Sequence, residues 1–262
     1  MPSSPRQRCW QALLLAALMA VGCSRPSLPQ PLVEQLNPMT PVKQPGASSP
    51  CWLYAMLAAI ETEHIGRGDS VNLSAAWLES FLPSEPHAPA DRRGLCATAL
   101  QLLQRRGVVG YDAMRRADAP RPRCVFLYGA EYTPQEFARS VCAPGEYMVL
   151  TSSAAAPYGQ SLCLSTPANW LRQRALNVPP DTLLRRVCRA VRRGHGVSCD
   201  VAAHAVALVG LARDTVSRQR YFVTKHSCAT PADRDGLSYL SFADFRRHVV
   251  AVCMTRQAYY EP

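Results

Sequence analysis

Lysine is almost missing from this chain: Lys43 and Lys225 are the only two among 29 basic residues, against 19 acidic ones. The formal charge of +10 is therefore arginine charge, and it is scattered as pairs. Its densest group, Arg185, Arg186, Arg189, Arg192 and Arg193, alternates with Leu183, Leu184, Val187, Cys188 and Val191. That spacing is one solvated face of an amphipathic helix, not a stripe tracking a phosphate backbone. Nucleic acid is not expected as a partner. None of the eleven cysteines forms a C-x-x-C pair, which leaves zinc and thioredoxin chemistry without their ligand spacing. No metal and no cofactor is expected. Internal repeats are also lacking, and after residue 22 no apolar run is long enough to cross a bilayer.

What is present begins with the N-terminus. Arg6 and Arg8 precede an apolar run from Ala12 to Val21, too short for a stable membrane span and suited to the core of an export signal. The run ends Ala20-Val21-Gly22-Cys23 before Ser24, which resembles a bacterial lipoprotein signal. That resemblance implies cleavage of residues 1–22, lipidation of Cys23, and an exported protein held at a bacterial membrane by its N-terminal lipid. A plain cleaved signal peptide is the simpler alternative. Loss of the signal removes two of the ten excess charges. Residues 23–38 are proline-rich and aperiodic and read as a flexible tether, so the folded domain is expected over 39–262.

A hydrophobic content of 48% supports a filled core. Leu53, Met56, Leu57 and Ile60 have helical spacing, and Ala55, Ala58 and Ala59 make the other face apolar too, so Cys51 to about Gly66 reads as a central buried helix. Pro50 fits the start, where no amide hydrogen bond is lost. Asn72-Leu73-Ser74 caps a second helix carrying Trp77, Leu78 and Phe81, and a third covers about Cys96–Arg106. The second half changes to strands: Tyr147–Thr151, Val197–Cys199, His204–Gly210, Arg220–Thr224, Tyr239-Leu240 and His248–Met254, with the arginine-faced helix among them. Helices first and antiparallel strands later predict an α+β fold of two subdomains. His64, His87, His195 and His248 show no partner pattern and are expected at the surface or in loops. Several of the remaining cysteines sit in apolar contexts, as small buried side chains or disulfide partners.

One constellation carries chemistry. Thr40-Pro41-Val42-Lys43-Gln44-Pro45-Gly46-Ala47-Ser48-Ser49-Pro50-Cys51-Trp52 puts a thiol where a glycine- and serine-containing loop enters the buried helix. His204-Ala205-Val206-Ala207-Leu208-Val209-Gly210 follows far downstream, and Tyr221-Phe222-Val223-Thr224-Lys225-His226-Ser227-Cys228 comes 22 residues after that histidine. A thiol is a nucleophile only as thiolate, which a helix N-terminus and an imidazole both favour.

These segments resemble the papain-like cysteine peptidases, and within them the bleomycin hydrolase and bacterial aminopeptidase C branch. Further likenesses to that branch are Arg106-Gly107-Val108-Val109-Gly110-Tyr111-Asp112-Ala113-Met114, Asn177-Val178-Pro179-Pro180-Asp181 and Cys199-Asp200-Val201. The separation of 153 residues between Cys51 and His204 lies near the roughly 130–150 of papain-type enzymes. The resemblance implies a helical subdomain and an antiparallel β-rich subdomain with an active-site cleft between them. It makes Cys51 the nucleophile and His204 the general base and later acid, acting on a peptide or protein substrate.

Three positions depart from the family pattern. The orienting asparagine falls at His226 and the shielding tryptophan at Cys228, so Lys-His-Ser-Cys stands for Lys-Asn-Ser-Trp. Counting back from Cys51, the oxyanion glutamine falls at Pro45, which has no donor; Gln44, one residue early, is the oxyanion candidate and reaches only if the loop shifts. Two functions follow: an active exported cysteine peptidase, possibly an aminopeptidase, or a catalytically silent lipoprotein that binds peptide or protein. Aminopeptidase action in this family depends on the C-terminal end of the chain lying in the cleft.

Overall fold

The computed structural model describes residues 31–43, 49–82, 95–152, 175–201, 204–225 and 236–262. Helix α1 (Cys51–Gly66) is its centre: twelve of sixteen side chains are buried, as expected of a helix apolar on every side. Helices α2 (Ala75–Glu79) and α3 (Cys96–Arg106) pack beside it. Ser74 caps α2 by accepting from the Trp77 amide at 3.0 Å, as the Asn-Leu-Ser signal predicts. A small hairpin, β2 (Val125–Leu127) and β3 (Ala130–Tyr132), and helix α4 (Pro134–Val141) follow.

The rest is one large sheet. Strands β4 (Tyr147–Ser152), β5 (Leu176–Val178), β6 (Val197–Val201), β7 (His204–Arg213), β8 (Arg220–Lys225), β9 (Leu237–Ser241) and β10 (Val249–Thr255) lie in the order β5-β4-β10-β6-β7-β8-β9. Among the described strands only β4 with β5 is parallel. Helix α5 (Pro180–Arg192) is the arginine-faced one: Leu183, Leu184, Val187, Ala190 and Val191 are buried on its inner side. Helices α6 (Phe242–His248) and α7 (Arg256–Tyr260) complete the chain.

The two faces of the sheet hold different cores. Along β7, Ala205 shares a cluster with Trp52, Leu53 and Met56 of α1, and Ala207 and Val209 pack with Ala58. The alternate residues Val206 and Leu208 pack with Leu183, Leu184 and Val187 of α5. This is strand periodicity at work: small residues face the helix that must lie close, and larger ones face the amphipathic helix. Gly196 marks the closest approach, since a Cβ there would sit 1.8 Å from the Ala59 carbonyl oxygen.

The domain begins before residue 39. Leu32–Leu36, within the expected tether, is strand β1, paired antiparallel to β7 from Leu32↔Arg213 to Leu36↔Gly210. Gln35 and Asn37 anchor it by donating side-chain amides to the Val191 carbonyl at the end of α5, at 3.1 and 2.9 Å. The tether reading follows from the flanking prolines, but the backbone pairing with β7 outweighs that composition.

Candidate active site

Cys51 is the first residue of α1 and is partly exposed. Pro50 stands before it at φ −76°, extended, and its carbonyl accepts from the Leu53 amide at 3.1 Å. The thiol therefore sits at the positive end of a sixteen-residue helix, and the first turn carries no acidic side chain to oppose a thiolate. Ser49, two residues earlier, is held by its hydroxyl on both carboxylate oxygens of Glu79 in α2, at 2.9 and 3.1 Å.

His204 is the first residue of β7 and is exposed. The packing of α1 on the sheet fixes which end of the helix it meets. Near the far end of α1, Glu63 accepts from the Gly196 amide at 3.0 Å; nearer the thiol, Met56 accepts from the Ser198 hydroxyl at 3.2 Å. The helix thus runs opposite to β6 and along β7. From Met56 to Cys51 is five residues, about 7.5 Å at 1.5 Å per residue. The same advance along β6, at about 3.3 Å per residue, leads from Ser198 to Asp200 and Val201. Val201 pairs with His204 and Asp200 with Ala205. Cys51 and His204 therefore lie at the same end of the helix–sheet interface, and Cys51 itself packs against the cluster that contains Ala205. Beside His204 is an open depression of about 340 Å³ with Val201, Val206 and Leu240 as apolar walls and Asp244 and His248 among its polar ones.

Gln44, Pro45, His226, Cys228 and Cys23 lie outside the described residues, as does the 1–22 signal segment. The residues next to two of them are described. Lys43 donates to Glu61 of α1 and, at 2.7 Å, to the Leu73 carbonyl. Lys225 at the end of β8 donates to the Thr40 carbonyl at 2.7 Å and to its hydroxyl at 2.8 Å. Thr40 in turn donates to Glu61, which also accepts from the Leu73 amide at 2.6 Å. One buried carboxylate on α1 thus gathers the segments that lead into Gln44 and His226. Sequence reading missed this network, whose members are 18 and 164 residues apart.

Asp200 was also missed. It is buried, and both carboxylate oxygens accept from the Cys96 amide at the start of α3, at 3.1 and 3.2 Å. Burial pushes its carboxyl up to about 7, against the hydrogen bonds from Cys96. The histidines expected at the surface divide. His248 is exposed, and His87 lies outside the described residues. His64 is buried, bonded to the Val141 carbonyl at 2.8 Å and Asp69 at 3.0 Å. His195 bridges Glu63 at 3.1 Å and Glu261 at 2.6 Å, and the Glu63 hydrogen bond foremost raises its pKa. Neither is a free surface residue; the partners come from distant elements and so leave no local pattern.

Among the described residues no group of three His, Cys, Asp or Glu is placed to hold a metal, and no helix is long and apolar enough to cross a membrane. The described cysteines Cys51, Cys96, Cys124, Cys142, Cys188, Cys199 and Cys253 form no disulfide with one another. Burial holds Cys96, Cys199 and Cys253 well above the usual thiol range and lifts Cys142 and Cys188 to about 12.

No known protein-family profile matches the chain. One curated protein, a coiled-coil domain-containing protein 22 homolog from Nematostella vectensis, is 30% identical over 122 residues. That match spans 45% of this chain and 19% of the relative. Solved structures say more. PepW from Lactobacillus rhamnosis has a TM-score of 0.65 at 13% identity, covering 98% of this chain and 93% of its own. Digestive procathepsin L 3 from the Tenebrio molitor larval midgut has a TM-score of 0.51 at 17% identity, covering 87% and 71%. The helices around α1 and the antiparallel-rich sheet that carries His204 are therefore those of the papain-like cysteine peptidase fold.

Proposed function

We propose that the protein is a papain-like cysteine peptidase in which Cys51 and His204 form the catalytic pair. The observation that carries this reading is their shared end of the α1–β7 interface, each at the first residue of its element. The Cys51 thiolate attacks the amide carbonyl carbon of a peptide or protein. His204 as imidazolium gives its proton to the departing amine, leaving a thioester on Cys51. His204 then takes a proton from water, whose oxygen attacks the thioester, expels the Cys51 thiolate and releases the acid, restoring the thiolate–imidazolium pair.

Internal cleavage fits better than aminopeptidase action. The C-terminal tail docks at the opposite end of α1: Glu261 bonds His195, which bonds Glu63. Glu63 is twelve residues from Cys51, about 18 Å along the helix, so Glu261 is held away from the thiol, which favours internal cleavage in this reading. Export and anchoring through Cys23 rest on the sequence of residues 1–24 alone and form part of the same proposal.

The testing experiment is hydrolysis of internally quenched peptides by the wild type and by Cys51→Ala. Activity that vanishes in the variant supports the reading; turnover unchanged by the substitution rejects it. A silent, peptide-binding relative is the second reading, favoured by Pro45, His226 and Cys228 in place of the family's residues. An oxyanion donor is worth on the order of 100–1,000-fold in rate. Replacing Pro45 by glutamine and His226 by asparagine together is therefore expected to raise kcat/KM at least about tenfold.

A further inference from the structure

The two lysines of the chain meet around one carboxylate. Lys43, Lys225 and Glu61 are all buried or nearly so, with side-chain exposures of 11% for Lys43 and 1% for Glu61. Among the described residues Glu61 is the one acidic side chain that pairs with either of them. Its oxygens are occupied by Lys43, the Leu73 amide and the Thr40 hydroxyl, so Lys225 reaches it only through Thr40. Among the described residues two ammonium groups thus face one carboxylate, an excess of one positive charge in the interior and a costly arrangement.

Between them is a cavity of about 20 Å³, room for a single water-sized particle. Besides Lys43, Lys225 and Glu61, its described walls are Val42, Tyr54, Ala55, Leu57, Ala58 and Ala75, which carry no acidic side chain. Each ammonium has three N–H donors and uses two on described residues, Lys43 on Glu61 and Leu73, Lys225 on the two oxygens of Thr40.

We propose that this cavity is a binding site for one small monovalent anion of chloride size, held by Lys43 and Lys225. The anion supplies the missing charge where the apolar walls supply none. Burial, and the repulsion of Lys43 beyond it, hold Lys225 down at about 8 despite Glu61, so Lys225 still carries its charge at pH 6.5. Among the described residues the other titratable groups around the site are Tyr54 on its wall and Tyr111, whose ring lies 5.3 Å from the Lys43 ammonium.

The test is the melting midpoint at pH 6.5 in chloride against gluconate at equal ionic strength, and it asks nothing of catalysis. A saturating chloride-specific rise of about 3 °C is expected for the wild type. It should be absent in Lys225→Met, which removes the excess charge. It should also be absent in Ala75→Asp, which places a tethered carboxylate in the same space and raises the midpoint in gluconate. Equal wild-type midpoints in the two salts overturn the proposal. So does a full chloride shift that persists in either variant, because the ion would then bind elsewhere.

Discussion

The Ser198 hydroxyl donates to the Met56 sulfur at 3.2 Å, and that contact sets the phase between the central helix and the sheet. Counting from it along both elements brings the first residue of α1, Cys51, to the level of the β6–β7 pair Val201↔His204. The proposed pairing of Cys51 with His204 thus depends on how deeply a helix can settle on two strands. That depth depends on small side chains: Ala205 and Ala207 on β7, and no side chain at Gly196.

Gly196→Ala tests that dependence. The added methyl meets the Ala59 carbonyl and must push α1 away from β6. A loss of about 1–3 kcal/mol in urea denaturation is expected from overpacking. Displacement of the thiol by even about 1 Å should lower kcat by up to about 100-fold. Unchanged stability would show that the helix does not lie against this strand.

Thiol labelling separates Cys51 from its neighbours. Burial suppresses the thiolate at Cys96, Cys142, Cys188, Cys199 and Cys253, and hydrogen bonding to Glu131 raises Cys124. Brief treatment with iodoacetamide at pH 7 followed by peptide mapping should find Cys51 modified at least about tenfold faster than any of these six. Equal rates would remove the helix N-terminus and imidazole as activating groups.

Asp200 predicts a pH dependence of stability. Burial holds its carboxyl at about 7 in the fold, against an ordinary value of 3.8. Between those values the folded chain keeps a proton that the unfolded chain has released, so stability falls as pH rises from about 4 to about 7 and then levels. Asp200→Asn retains an acceptor for the Cys96 amide and removes the titration. It should gain on the order of 2 kcal/mol at pH 8 and little at pH 4. A variant that tracks the wild type over this range would place an ionised carboxylate at 200 in the fold.

The sequence shows its helices well where the signal is local. Leu53, Met56, Leu57 and Ile60 predict α1, and the structure gives Cys51–Gly66. Cys96–Arg106 likewise agrees with α3. Helix α4 was missed although Thr133-Pro134-Gln135-Glu136 is a capping box with proline at the first position, a signal easily read. The β2–β3 hairpin was missed as well; its turn places Tyr128 at φ 51° and Gly129 at φ 80°, and only the glycine announces it. Strand β1 could not be read locally, because Leu32–Leu36 is a strand only through β7. The same holds for chemistry. Cys51 and His204 are legible as motifs, whereas the Lys43–Glu61–Thr40–Lys225 network and the Asp200–Cys96 contact exist only once distant segments have met.

The pairing of Cys51 with His204 is tested most directly by the pH profile of Cys51 alkylation in the wild type and in His204→Ala. If the imidazolium stabilises the thiolate, the wild-type rate should hold a plateau well below pH 8, and the variant should shift toward an isolated thiol near 8.5. Superimposable profiles would contradict the account, leaving Cys51 without its base.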